Sequence, residues 1–333
     1  MLGYIVKRVL RMIPLLFLLS ILAFTIIHLP PGDYVTEYIA NLGQSGASVD
    51  ESEIARLRQT YGLDRPVHEQ YLLWMSNILL RGDFGLSFQW NKPVAEVITE
   101  RMLLTFLIAL CTTAFVWIVA IPIGIYVSVH QYTLSDYVFT LLGFIGLAIP
   151  SFLLALLVMY LAYSQLGVKV SGLYAPEYEL APWSFEKIQS MVGRIWVPIL
   201  ILGVGGMAQL IRTMRATMLD ELRKPYVTVA RAKGLSEFAL LIRYPVRIAI
   251  NPLISTIGRL LPWFVSGGTI VEIVLNLPTA GPVLWNALKL QDMYLAGSYI
   301  LLIGAMTMIG SLLSDILLAW LDPRIRLGQA EAQ

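Results

Sequence analysis

The chain has 333 residues, 57% of them hydrophobic and 14% charged, with a mean hydropathy of +0.70. Soluble domains run at roughly 45–50% apolar and about 25% charged residues, so this composition excludes an ordinary soluble protein and points to the lipid bilayer. The net charge of +2 is too small to argue for nucleic acid as a partner, and the lone cysteine, Cys111, excludes an internal disulfide.

Six apolar runs are long enough to span, at residues 12–29, 102–128, 137–166, 195–218, 248–276 and 293–321, given the ~20 residues a crossing needs. Backbone groups in lipid must be satisfied internally, so the spans are expected to be helices and the chain an all-α integral membrane protein. The first run follows Lys7, Arg8 and Arg11. It ends in Leu29-Pro30-Pro31-Gly32 rather than a small-residue cleavage site, so residues 1–29 are expected to stay as a transmembrane helix.

Residues 30–101 are expected to form an external helical region. Asp50 and Glu53 have capping-box spacing ahead of Ile54, Leu57 and Tyr61. Tyr71, Trp74, Met75, Ile78 and Leu79 imply a second helix, stopping at Gly82 and packing on the spans or on a partner. Residues 102–321 then form a five-helix core, followed by a tail at 322–333. Gly203, Gly205, Gly206, Gly267 and Gly268 are read as close-packing positions.

Orientation follows from Lys and Arg. Arg212, Arg215, Arg223, Lys224, Arg231, Lys233, Arg243 and Arg247 crowd the connection between the fourth and fifth runs, whereas the shorter loops on the other side hold Lys169, Lys187 and Lys289, and the six Lys and Arg of residues 30–101 count little in so long a segment. The crowded side is expected to be cytoplasmic, with both termini. Within its loop, 220–247, Ala230-Arg231-Ala232-Lys233-Gly234 suggests a short helix, a break at Gly234 and a second short helix. Tyr226, Val229, Ala230 and Lys233 are placed on one side of the first helix. A small-faced helix of this kind can enter a groove on another protein.

Recognisable catalytic chemistry is missing. No lysine precedes Ser or Thr, which excludes a Walker A phosphate loop, and His28, His68 and His130 are too dispersed for a zinc site. Glu272 and Arg259 lie in the fifth run, where an ionisable residue is a functional candidate by default. For Glu272 the heavier alternative is a position near the outer end, meeting water or a partner's cation. Arg259 can snorkel or pair with another helix. Asp315 reads as a structural anchor near Arg324 and Arg326.

A resemblance covers nearly the whole chain. Its most specific piece is Arg215-Ala216-Thr217-Met218-Leu219 followed by Pro225-Tyr226-Val227-Thr228-Val229-Ala230-Arg231-Ala232-Lys233-Gly234-Leu235-Ser236. Tyr61-Gly62-Leu63-Asp64-Arg65-Pro66, Gly82-Asp83-Phe84-Gly85-Leu86-Ser87, Ile149-Pro150-Ser151-Phe152 and Asp322-Pro323-Arg324-Ile325-Arg326 accompany it. Together these resemble the inner-membrane permease subunits of ABC importers for peptides and nickel, of the dipeptide and oligopeptide B-subunit type. The loop looks like that family's form of the EAA motif, with Thr228, Val229 and Ala230 at the nominal Glu-Ala-Ala positions. Tyr244 stands where a histidine is common, and Leu277-Pro278-Thr279-Ala280-Gly281 replaces a Pro-Gly-Leu-Gly turn.

The resemblance implies a type I importer permease fold with six transmembrane helices in a bacterial or archaeal inner membrane. It implies as partners a second permease, two cytoplasmic ATPases that bind the ATP and Mg, and an external solute-binding protein; the chain itself would bind no cofactor or metal and catalyse nothing alone. Tyr226, Val229, Ala230, Arg231, Ala232, Lys233, Gly234, Leu235 and Ser236 become the expected ATPase-coupling residues. Glu272, Arg259 and Pro150 become candidates for the pathway or its gate. Peptides are preferred as substrate over oligosaccharides or nickel chelates because no metal-ligand cluster is visible. A lone ion-coupled carrier would need paired intramembrane charges, which the uncharged second and third runs do not offer.

Overall fold

The structure, a computed structural model, describes residues 2–29, 35, 55–56, 58–59, 64–179, 181–255 and 268–321. The expected capping pair Asp50 and Glu53, the stretch 256–267 of the fifth apolar run with Arg259, and the segment 322–326 lie outside the described residues. The described chain is helical apart from loops and one two-residue hairpin.

The helices are α1 (Leu2–His28), α2 (Val67–Arg81), α3 (Val94–Val129), α4 (Leu134–Ala148), α5 (Ser151–Leu166), α6 (Phe185–Arg194) and α7 (Trp196–Leu222). After them come α8 (Pro225–Ala232), α9 (Glu237–Arg243), α10 (Pro245–Ala249), α11 (Asn251–Ile254), α12 (Thr269–Val274), α13 (Ala280–Lys289) and α14 (Met293–Leu321). Strands β1 (Leu86–Ser87) and β2 (Lys92–Pro93) pair antiparallel, Leu86 opposite Pro93.

Four helical stretches among the described residues are long and apolar enough to cross a membrane: Arg8–His28, Val94–Val129, Phe185–Leu222 and Met293–Ile316. A fifth arises if α4 and α5 count as one span. The sequence led us to expect a single helix over 137–166. Instead the two halves meet at 99°. Pro150 offers no N–H to the carbonyl of Gly146 and disfavours a helical backbone at the residue before it. Ile149 is accordingly extended, at φ −85° and ψ 119°.

Contacts divide the chain into two units. The first comprises Met1–Thr105 with Thr279–Met308. Its core joins Phe24 and Ile27 of α1, Trp74 of α2, and Leu295, Ala296 and Tyr299 of α14, all buried. Phe24 meets Tyr71 edge-on at 5.4 Å and Trp74 at 5.7 Å, and Ser20 Oγ is 2.8 Å from the Tyr71 hydroxyl. The amphipathic helix expected around Tyr71 and Trp74 therefore exists and packs on a span. Leu79, assigned to its inner face, is exposed instead. Helix α2 ends at Gly82, whose φ of 65° closes the last turn. Glycine also lets α14 approach α1: a Cβ on Gly304 would collide with Leu19 Cδ2.

The second unit comprises Phe106–Pro278 with Ile309–Gln333. Helix α7 is its spine, packed by α4, α5, α10, α11 and α12. Val116 and Ala120 of α3, Leu210, Met214 and Met218 of α7, Ala249 of α10 and Leu253 of α11 form its core. Gly124 allows the closest approach here, since a Cβ would fall 2.7 Å from Met214 Cβ.

Candidate functional site

The basic loop folds as a helical hairpin. Lys224 is extended, Pro225 opens α8, and Gly234 at φ 79° turns the chain into α9. Proline is pre-set for a helix's first turn, and glycine takes the left-handed region without strain. Ser236 caps α9, its side chain accepting from Ala239 N–H. The expected helix, break and second helix are all present.

Which residues face inward differs from the sequence reading. Val227, Ala230 and Leu240 are the buried core of the hairpin, with Tyr226, Leu235, Leu241 and Tyr244 packed around them. Ala230, at 5% exposure, therefore faces α9 and is not available to enter another protein's groove. Three-residue spacing puts Val227 and Ala230 on one stripe, while Val229 falls on the opposite face. The outward surface consists of Val229, Arg231, Ala232, Lys233, Gly234, Ser236 and Phe238, the last 78% exposed. Arg231 grips Glu237 across the turn with both guanidinium donors, which holds the Glu237 carboxyl below its usual range. The Tyr226 hydroxyl donates to Glu221 at the end of α7, and burial, then that carboxylate, push the phenol well above its usual range.

The hairpin is tied to the second unit's core. Leu241 touches both the hairpin cluster and the cluster around Met214, Met218 and Ala249. Thr217 Oγ1 of α7 donates to the Ala249 carbonyl of α10 at 3.1 Å. Packed side chains thus connect the hairpin to α7 without a gap.

A buried ion pair holds the same end of α7 to α4. Arg215 Nε and Nη2 each donate to Asp136 at 2.7 Å. Tyr132 N–H adds a bond at 3.0 Å and Thr140 Oγ1 one at 3.5 Å, and Asp136 is 3% exposed. Sequence reading named Arg215 within a motif but passed over Asp136. The available signal was an isolated acid at the mouth of an otherwise uncharged run.

The break at Pro150 opens onto a cleft of about 620 Å³, walled by Thr112, Thr113, Val116 and Trp117 of α3, and by Gly205, Gly206, Gln209 and Thr213 of α7. Gly146, Ile149, Ser151 and Leu253 also line it, with Leu147, Leu202 and Leu210. Gly203 packs as expected, against Phe115 and Val116, but a Cβ on Gly205 would meet nothing within 4 Å and one on Gly206 would touch Val116 only loosely. Those two glycines widen the cleft rather than tighten a helix contact. Glu272 is buried in α12, at 3% exposure, and is not part of this cleft. Its carboxylate is not left in water.

Another residue missed in the sequence is Asp292, fully buried in the first unit. It accepts from Ser87 Oγ at 2.6 Å, Gln89 N at 3.1 Å and Leu295 N at 3.3 Å, thereby capping α14 and anchoring the β1–β2 loop. Burial pushes its carboxyl above the usual carboxylate range, the hydrogen bonds offsetting this in part.

Several apolar spans, a helical hairpin mechanically tied to one of them, and a neutral cleft beside a broken span define a multi-pass membrane permease. Comparison with known proteins makes the assignment specific. Residues 120–327 match the family described as binding-protein-dependent transport system inner membrane component, and residues 1–110 match the N-terminal domain described for the same components. The chain belongs to this family: it is the permease component of an ABC importer, seated in the inner membrane, and not an enzyme by itself. Among its relatives, a Brucella ovis protein provisionally named a peptide permease is 33% identical over 98% of this chain and 100% of its own length. The oligopeptide transport system permease protein AppB of Bacillus subtilis is 31% identical over 98% of this chain and 99% of its own. The glutathione transport system permease protein GsiC of Escherichia coli K12 is 30% identical with the same coverage.

Proposed function

We propose that the chain forms half of the translocation path of an ATP-driven importer for di- or oligopeptides. A second permease subunit supplies the other half, two cytoplasmic ATPases carry the ATP and Mg, and an external solute-binding protein delivers the peptide. Both termini and the 225–243 hairpin face the cytoplasm in this reading. The observation that carries it is the hairpin: its outer surface offers Val229, Arg231 and Phe238, while its inner side reaches the core of α7 through Leu241. A partner that grips the outside moves a membrane helix on the inside.

Closure of the ATPases acts on transport only by binding one permease conformation better than the other. A shift from 1:99 to 99:1 takes about 5.5 kcal/mol of differential binding. An apolar side chain such as Phe238, exposed now and buried on docking, contributes about 1.5–3 kcal/mol of such binding.

Peptide is the favoured substrate because relatives covering the whole chain are named for oligopeptide and for glutathione, itself a tripeptide. Oligosaccharides and nickel chelates are the alternatives within the same machinery. Reconstitution with the partner permease, both ATPases and the binding protein tests the whole reading. The expected result is peptide uptake with ATP hydrolysis stimulated by loaded binding protein. Absence of both would overturn it.

A further inference from the structure

The 99° break between α4 and α5 leaves backbone groups that a bilayer does not satisfy. Leu153 and Leu154 N–H both donate to the Pro150 carbonyl, but Ser151 and Phe152 N–H have no backbone acceptor among the described residues. On the other side, Ile149 N–H takes the Ile145 carbonyl, and those of Gly146, Leu147 and Ala148 have no backbone donor there. Such ends are inherent to helix termini. In a membrane, irregular backbone is tolerated only where it is buried in protein or lines a hydrated cavity. Here it lines the cleft.

Thr112 is an independent second sign. Its side chain is fully buried and lines the same cleft, yet Oγ1 has no hydrogen-bond partner among the described residues. Helical threonines ordinarily satisfy the hydroxyl on a carbonyl one turn back. A lipid chain or an apolar partner helix laid into the cleft would leave both this hydroxyl and the broken backbone unsatisfied. A hydrogen-bonding solute satisfies the backbone directly, and the hydroxyl once the Thr112 side chain turns towards the cleft.

The lining also constrains what that solute presents. Thr113, Ser151, Gln209 and Thr213 offer hydroxyls and a carboxamide, and among the described residues none that lines the cleft is charged, Arg212 reaching its edge by donating to Gln209 Oε1 at 3.2 Å. An ammonium brought here would lose its water without gaining a counter-charge, at a cost of several kcal/mol. A secondary amide carries one donor and one acceptor, which matches a site made from the donor end of one helix and the acceptor end of another. We infer that the cleft between Thr112, Gln209 and the Pro150 break is a binding station for the uncharged amide backbone of a peptide in transit. Its charged ends stay in the water of the path. Trp117, Leu210 and Leu253 give side chains an apolar wall without a specific partner. Residue-level selectivity then falls to the binding protein.

This inference rests on the peptide-import reading, and the experiment separates the two. Uptake of trialanine and of glutathione is measured in proteoliposomes holding the assembled importer, with wild type, Thr112→Val and Thr112→Ser. Valine keeps the shape and removes an unpaired hydroxyl, so the variant is expected to melt at or above the wild-type temperature. The expected result is a five-fold or greater loss of uptake in Thr112→Val, with Thr112→Ser near wild type. Uptake within two-fold of wild type in Thr112→Val, with the same or higher melting temperature, overturns the station and assigns the cleft to lipid or a partner helix. Equal impairment in both variants overturns it too, because shape and not the hydroxyl would then matter. A wild-type complex that moves neither peptide overturns the peptide reading itself.

Discussion

Asp136 and Arg215, 79 positions apart, meet through two parallel hydrogen bonds of 2.7 Å that clamp the start of α4 to the C-terminal half of α7. The carboxylate is almost wholly buried while the guanidinium keeps an edge in solvent. Removing one partner of a buried pair strands the other charge, typically at about 3–5 kcal/mol. Arg215→Ala and Asp136→Ala should each lower the melting temperature of the purified protein sharply. The double variant should recover part of the loss, because no lone charge remains. Arg215→Lys should behave closer to alanine than to arginine, since an ammonium does not reproduce the two-pronged geometry.

The hairpin separates into an inner and an outer face with opposite expected phenotypes. Ala230→Trp forces an indole into the space between Val227 and Leu240 and should cost about 1–3 kcal/mol or more, visible as proteolysis within 225–243. Phe238→Asp should leave the fold intact and abolish co-purification with the ATPases. Intact co-purification of Phe238→Asp would remove the outer face from the docking reading.

Gly234 tests the turn itself. Its φ is +79° and a Cβ there would meet nothing within 4 Å, so the cost of substitution is conformational and not steric. Gly234→Ala should cost about 1 kcal/mol and Gly234→Asn less, because asparagine tolerates the left-handed region. Thermal melts of the permease compare the two directly.

Glycines that look alike in sequence should respond differently. Gly124→Ala places a Cβ 2.7 Å from Met214 Cβ, deep in the second unit's core, and should destabilise by about 1–3 kcal/mol. Gly205→Ala meets open space and should melt like wild type or slightly above it, since alanine favours the helix by about 1 kcal/mol.

Asp292 gives a pH signature. Its folded pKa is raised by burial, so in the window above the ordinary carboxylate value of about 3.8 the folded state holds a proton that the unfolded state has lost. Its contribution to stability is complete below the unfolded pKa and is lost as pH rises through the folded one. Asp292→Asn should flatten this part of the stability profile. Asp292→Ala should cost about 1–3 kcal/mol at neutral pH by stranding the Ser87 hydroxyl and Gln89 N–H.

Much of the fold is readable locally. The run 293–321 coincides with α14, Gly82 closes α2, and Pro225, Gly234 and Ser236 mark the hairpin's start, turn and second cap. Each depends on residues within a turn or two of one another, so a linear pattern carries the information. The inward face of α8 was misread because four residues with helical spacing do not say which stripe finds a core. Val227 and Ala230 are inside only because Leu240 and Tyr244 fold back onto them.

The motifs make the chain resemble an importer permease; composition and local pattern by themselves determine that it lives in a bilayer, that its spans are helices, and that it carries a basic helical hairpin. Those conclusions follow from hydrophobic transfer, from backbone satisfaction in lipid and from short-range turn chemistry, all of them local. The tertiary structure decides the rest. It pairs Asp136 with Arg215, turns Ala230 inward, converts Gly205 and Gly206 from packing residues into the wall of a cleft, and puts Thr112 and the Pro150 break in the lining of that same cleft. These depend on which surfaces meet across many residues of sequence, and burial, not spacing, determines what each side chain can then do.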